Sequence, residues 1–184
     1  MKFIPQSIPD VLLIEPIVHR DKRGYFMETF RQDMLDNALG YKINFIQDNE
    51  SESISKGVLR GLHYQSPPYT QSKLVRVIKG RILDVAVDIR QDSPTFGRHT
   101  TVELSEQNKR QLFLPRGFAH GFAVLSEGAI FSYKVDEYFS AEHNEGIAYN
   151  DKDIAIDWCL SERDIKLSIQ DENNSNLADK KKLL

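Results

Sequence analysis

The sequence predicts a mainly β chain, an antiparallel sandwich or barrel with a few short helices. Three observations carry this. The middle of the chain falls into short runs that alternate apolar and polar residues, turn residues punctuate those runs, and helical periodicity is confined to short segments.

In order, RQDMLDNAL (residues 31–39) has the spacing of a short helix, and Gly40 ends it. GVLRGLHYQ (57–65) reads as a strand. In KLVRVIKGRILDVAVDI (73–89), Leu83, Val85, Val87 and Ile89 alternate with Asp84, Ala86 and Asp88, the period of a half-buried strand. Lys79-Gly80 supplies a turn, so 73–89 reads as a β-hairpin. HTTVELS, RQLFLP, FAHGFAVLS and AIFSYKVDEYF continue the series of short strands. A weaker helical stretch begins near Ser161. After about residue 172, ENNSN and three successive lysines predict a solvated, loosely ordered tail on a single domain spanning 1–184.

Bulk properties exclude several classes. A net charge of −3 with interspersed signs gives no global field for nucleic acid or an anionic membrane, so an anionic ligand must be held locally. Cys159 is the single cysteine, which excludes an internal disulfide and fits a reducing compartment. The start, MKFIPQSIPDVLLIEP, lacks the charged region and long apolar run of a signal peptide, and no stretch reaches about 18 apolar residues. A soluble, cytoplasmic protein is expected.

Five histidines are candidates for chemistry: His19, His63, His99, His120 and His143. A lone histidine beside apolar residues is more often a hydrogen-bonded structural residue than a catalyst, and that reading holds for His99 and His143. His63 and His120 differ because each lies in a strand-like run with glycines nearby. Alternation puts Leu59, Gly61 and His63 on one face, where Gly61 leaves room beside the imidazole. A metal site would need three or four ligands, and the chain offers no His-x-His pair and no glutamate shortly after His63, so no metal is expected. Tyr133 shares a strand face with Phe131 and Val135, where a core role is the commoner one, although a phenol near an imidazole could donate a proton. Lys73 pointed inward would stabilise an enolate oxygen, and Arg20, Arg23, Arg31 and Arg60 are candidates for holding phosphate.

Taken together, GVLRGLHYQ, DKRGYFMETF, FIQDN, PRGFAHGF and FSYKVDEYF resemble the dTDP-4-dehydrorhamnose 3,5-epimerase family from about residue 3 to 179. The resemblance implies a cupin-type jelly roll, homodimers that exchange N-terminal strands, and catalysis without metal or cofactor. It also implies a dTDP-linked 4-keto-6-deoxy sugar as substrate, inverted at carbons 3 and 5. Both carbons flank a ketone, so the chemistry asks for a base on one face, an acid on the other and a cation or donor near the oxygen.

On the family pattern His63 is the base, Tyr133 the acid and Lys73 the group near the enolate oxygen. A carboxylate partner for His63 is implied by the S-x-x-D element, which occurs as SERD (Asp164) and SIQD (Asp171). Asp171 is preferred because Leu177-Ala178-Asp179 follows it as in the family. Binding positions carried over are Arg23, Phe26, Glu28, Gln47, Asp48, Asn49, Arg60, His120, Tyr138 and Phe139. Simple alternation sets Arg60 and His63 on opposite faces, and a bulge at Gly61 would remove the conflict. The chain departs from the pattern at Phe139, usually tyrosine, at Asn144, usually acidic, and at Gln170, often lysine. Three other readings remain at this stage: a relative that inverts one carbon only, a non-catalytic cupin that binds a nucleotide sugar, and a metal-dependent cupin oxygenase or isomerase.

Overall fold

The computed structural model describes residues 1–181 and 183; Lys182, the last of the lysine run, and Leu184 lie outside the described residues. In chain order the strands are β1 (Lys2–Pro5), β2 (Leu12–Glu15), β3 (Val18–Asp21), β4 (Gly24–Met27), β5 (Gln47–Ser53), β6 (Leu59–Gln65) and β7 (Lys73–Lys79). They continue with β8 (Arg81–Asp88), β9 (His99–Ser105), β10 (Gln111–Leu114), β11 (Phe118–Val124), β12 (Ala129–Val135) and β13 (Asn144–Gly146). The helices are α1 (Gln32–Leu39) and α2 (Ile169–Glu172), with three single 3-10 turns. Helix α1 ends as the sequence predicts: Gly40 takes a left-handed conformation and donates its N–H to the Asp36 carbonyl.

Strands β1-β2-β10-β7-β12-β5 form a six-stranded sheet and β13-β6-β11-β8-β9 a five-stranded one, while β3 and β4 pair only with each other. The pairs within these sheets are antiparallel. The result is a cupin-type β fold. Three apolar layers hold it together. Val75, Val77, Leu112 and Phe131 of the six-stranded sheet meet Ile82, Val102, Phe118 and Phe122 of the five-stranded sheet between them. Outside the five-stranded sheet, Leu59, Leu62, Val85 and Ala119 pack under Ile147, Ile154, Trp158 and Leu177. Outside the six-stranded sheet, Leu12, Leu74 and Phe113 pack under Leu35 and Ile43. No helix among the described residues is long and apolar enough to cross a membrane.

The second layer corrects the prediction for β8. Its alternation signals a half-buried strand, yet every residue from Ile82 to Asp88 is buried. The polar face turns into the sandwich, and the apolar face is covered by the C-terminal third of the chain. Residues 73–89 are also no hairpin. Strand β7 pairs with β10 and β12 in one sheet, β8 with β11 and β9 in the other, and Lys79-Gly80 is the corner between them. A two-residue turn signal is the same for a hairpin and for a corner, so the sequence could not separate the two.

Strand β6 carries the irregularity on which the interior depends. His120 pairs with His63 and Phe122 with Arg60, so three steps on β6 oppose two on β11. That extra residue is a bulge at Gly61-Leu62, across a cis peptide bond. It brings Arg60 and His63 to the same side while Leu59, Leu62 and Tyr64 go to the outer apolar layer. Gly61 therefore does not leave room for a ligand, as alternation suggested. A Cβ there would lie 2.6 Å from the His120 carbonyl oxygen and 2.7 Å from the Gly121 Cα, and its φ of +112° is one that side-chain-bearing residues avoid.

The stretch after residue 172 is not a loose tail, at least to Asp179. Leu177 is 6% exposed in the outer apolar layer, worth roughly 1.5–3 kcal/mol as a buried side chain. Its N–H donates to the buried Asp151 carboxylate at 2.7 Å, and the Ala148 N–H donates to the Ser175 carbonyl at 2.9 Å. The helical stretch predicted near Ser161 reduces to a 3-10 turn at Glu162–Asp164 and the single turn of α2.

Gly61→Ala is expected to cost about 1–3 kcal/mol from crowding against β11 and to displace His63. Denaturant unfolding of the variant against the unaltered protein measures the loss, and an unchanged midpoint would contradict the packing argument.

Candidate active site

Two sheets facing each other put side chains of different strands into one interior space. From β6 come Arg60 and His63, from β11 His120, from β8 Asp84. From the six-stranded sheet come Lys73 at the start of β7, Tyr133 on β12, and Gln47 and Asn49 on β5. Phe131, Tyr133 and Val135 share a face, as the alternation predicts, and the Phe131 ring lies 5.6 Å from Tyr133 and 5.9 Å from His120.

His63 Nε2 stands 2.6 Å from Asp171 Oδ1. The carboxylate is 4% exposed, whereas the imidazole is 34% exposed and reaches the open interior. Burial alone would raise the Asp171 pKa, but hydrogen bonds from His63, the Ser168 hydroxyl and the Gly61 N–H prevail and hold it below the ordinary carboxylate value. An ionised Asp171 accepts, so Nε2 carries the hydrogen and Nδ1 is left as the basic atom. Ser168 also caps α2 by accepting the Asp171 N–H at 3.1 Å, which fixes where the carboxylate points. Asp164, the other candidate, is exposed, accepts from the Ser161 hydroxyl and lies 4.0 Å from Arg163 Nε.

Lys73 lies half-buried among these groups. Burial lowers its pKa to about 8, and the Asp84 carboxylate pulls it back up. Burial raises the Tyr133 phenol, with Arg60 working in the other direction, so Tyr133 keeps its proton at neutral pH. Arg60 is anchored on β5 by the Ser53 hydroxyl at 3.2 Å and the Glu52 carbonyl at 3.0 Å. The geometry thus sets a base on one sheet against a protonated phenol and an amine on the other. An arrangement of this kind can remove a proton from one side of a flat centre and return one from the opposite side.

Several residues named from the sequence lie elsewhere. Asp48 faces outward and is bound to Lys134 Nζ at 2.8 Å, because successive strand residues point to opposite faces and only Gln47 and Asn49 look inward. Gln47 Nε2 donates to Asn49 Oδ1 at 2.7 Å. Arg23, Phe26 and Glu28 do not join the interior of their own chain: they lie on or just after the separate β3-β4 hairpin, where Arg23 is tied to Asp21 and Phe26 is 67% exposed. Arg20 lies over the Tyr25 ring, and Arg31 pairs with Asp33. Tyr138 and Phe139 are exposed just past β12 and are held next to β6, since the Gln65 amide donates to the Tyr138 carbonyl and accepts from the Ser140 N–H. Asn144 pairs with Gln65, and Gln170 is exposed on α2.

Sequence reasoning missed Asp84. It is completely buried, and both its oxygens accept from His120 Nε2, at 3.0 and 3.1 Å. The available signal was an acid inside the apolar run ILDVAVD, read instead as a solvent-facing position. Among the described residues no three His, Cys, Asp or Glu side chains gather in a metal-holding group; the two histidines each face a different carboxylate.

The sequence profile of the dTDP-4-dehydrorhamnose 3,5-epimerase family matches residues 5–179. A dTDP-4-dehydrorhamnose 3,5-epimerase of Shigella flexneri is 54% identical over 170 residues, spanning 90% of this chain and 93% of its own. The crystal structure of a dTDP-6-deoxy-D-glucose-3,5-epimerase from Legionella pneumophila with dTDP-4-keto-L-rhamnose superposes with a TM-score of 0.93 at 48% identity, over 97% of this chain and 93% of that one. A 3'-monoepimerase of Streptomyces bikiniensis, in complex with dTDP-quinovose, is more distant: TM-score 0.86 and 34% identity, over 95% and 87% of the two chains.

Proposed function

The chain belongs to the dTDP-4-dehydrorhamnose 3,5-epimerase family, and we propose that His63 and Tyr133 are the base and acid with which it inverts carbons 3 and 5 of dTDP-4-dehydro-6-deoxy-D-glucose. The protein is an isomerase of dTDP-L-rhamnose synthesis. The observation that carries the residue assignment is the placement of His63 and Tyr133 on facing sheets, with the His63 tautomer set by Asp171.

His63 Nδ1 takes the hydrogen from carbon 3 or carbon 5, and the electrons of that C–H bond pass into the enolate, with the charge on the ketone oxygen. The Lys73 ammonium is the cation near that oxygen. Tyr133 then gives its phenolic proton to the carbon from the other side, which inverts the centre. Solvent restores the proton to Tyr133 and removes the one on His63. The ketone is the electron sink, so the steps as written call for no further cofactor. Arg60, His120, Gln47 and Asn49 share the interior and are the residues proposed to hold the sugar and its diphosphate.

Greater identity to the double epimerases than to the monoepimerase favours inversion at two carbons. Arg23, Phe26 and Glu28, implied as binding residues yet exposed on a separate hairpin, suit a homodimer in which that hairpin reaches the barrel of a second copy, and the one cysteine suits the cytoplasm. Sedimentation at micromolar concentration is expected to give the mass of two chains; a monomer would leave the hairpin without a role in binding.

In deuterated water, proton NMR of the sugar is expected to lose the carbon 3 and carbon 5 signals together with the appearance of inverted product. Loss of one signal alone would make the protein a single-centre epimerase, and loss of neither would overturn the reading. His63→Ala is expected to lower turnover by about 10²–10⁴-fold in a protein that still folds; retained turnover would remove His63 from the mechanism.

A further inference from the structure

Asp84 has no part in the proton transfers described above, yet it is a completely buried acid at the centre of the interior. Burying a carboxylate is costly unless charge or hydrogen bonds compensate it. His120 supplies one part of that compensation through Nε2. Lys73 enters the same interior from the facing sheet, where the Asp84 charge raises its pKa against burial.

We propose that Asp84 is a positioning residue, whose carboxylate fixes the His120 ring in one orientation and keeps Lys73 as the ammonium that the enolate requires. The inference rests on the reading of the site as an enolising one and adds to it a residue that need not touch the sugar.

Three observations support it. Both Asp84 oxygens lie within 3.1 Å of the same imidazole nitrogen, so Nε2 holds the hydrogen and the sugar-side nitrogen of a neutral His120 is Nδ1, an acceptor. Burial keeps His120 neutral by lowering its pKa, with Lys73 and His63 acting in the same direction and Asp84 against them. Finally, Lys73 and Asp84 enter the interior from facing sheets, and the Asp84 carboxylate raises the Lys73 pKa against burial. The neighbouring acid on the same face of β8, Asp88, is already engaged by Arg90 at 2.7 Å and by Ser93 and Thr95.

The other groups around Lys73 cannot take the place of Asp84. Strand β6 contributes Arg60 and His63, β11 His120 and β12 Tyr133, none of which is an anion at neutral pH. Strand β5 contributes the uncharged Gln47 and Asn49, and β9 and β10 present Val102, Leu104, Leu112 and Leu114 to the interior. Asp171 is turned to His63.

With Lys73 near 8, activity must fall as pH rises through that value, since the protonated amine is the working form. Removing the anion that raises Lys73 moves this fall to lower pH. Asp84→Asn keeps the shape and an acceptor for His120 but loses the charge. In kcat/KM against pH, Asp84→Asn is therefore expected to shift the alkaline fall by one unit or more toward acid, with the acidic limb unmoved, so that the deficit is several-fold larger at pH 8 than at pH 6.5. An equal loss at every pH would show a merely structural role and overturn the proposal. Asp84→Glu, which keeps the charge, is expected to retain the alkaline fall of the unaltered protein at lower activity; if Asp84→Asn does not fold, a shifted fall in Asp84→Glu overturns it instead. Failure of the unaltered protein to exchange sugar hydrogens would fail the enolising reading, whereas an unshifted Asp84→Asn profile with normal exchange fails this inference alone.

Discussion

At Gly61 the backbone of β6 passes so close to β11 that no side chain fits between them, and the extra residue there reverses which side chains of β6 look inward. The joint placement of Arg60 and His63 follows from that reversal. Without it, the strand's alternation would send Arg60 and His63 to opposite faces, and the interior would lose either the imidazole or the guanidinium. With it, the leucines at 59 and 62 both reach the outer apolar layer, so packing and chemistry are satisfied by the same local change.

The outer layer has a second consequence. Because the C-terminal third of the chain covers the five-stranded sheet, residue 171 is carried to the back of β6, where its carboxylate meets His63. Asp151, Leu177 and the capping Ser168 form the chain of contacts that locks this segment in place. The His63 imidazole thus depends on residues far from it in sequence: burial of Leu177 against the sheet also helps to hold the segment whose anion faces the ring.

Much of this was legible in the sequence, and the failures have physical causes. The strands from β6 to β12, α1 and its glycine stop, the shared face of Phe131 and Tyr133, and the preference for Asp171 over Asp164 are local patterns or ordered motifs, whereas β1 to β5 and β13 were not predicted. The β7-β8 corner was misread because alternation says which face is apolar and not which sheet a strand joins. The burial of β8 and the order of the C-terminal segment were missed for a common reason: each depends on the other, and neither shows periodicity that reveals it. Asp48 faces outward by simple parity, while Arg23 and Phe26 sit on a hairpin that pairs with no other strand among the described residues.

The interior divides its charge between two pairs, His63 with Asp171 and His120 with Asp84, and leaves Lys73 and Tyr133 on the opposite sheet as the proton-bearing groups. The account stands on a base and an acid acting from opposite sides of the sugar. Tyr133→Phe in deuterated water tests this most directly, by following both the exchange of sugar hydrogens and the configuration of the carbons. The account predicts that deuterium still enters the recovered sugar, because His63 can remove and return a proton on its own side, while inversion is lost. Inverted product formed at the rate of the unaltered protein would contradict it.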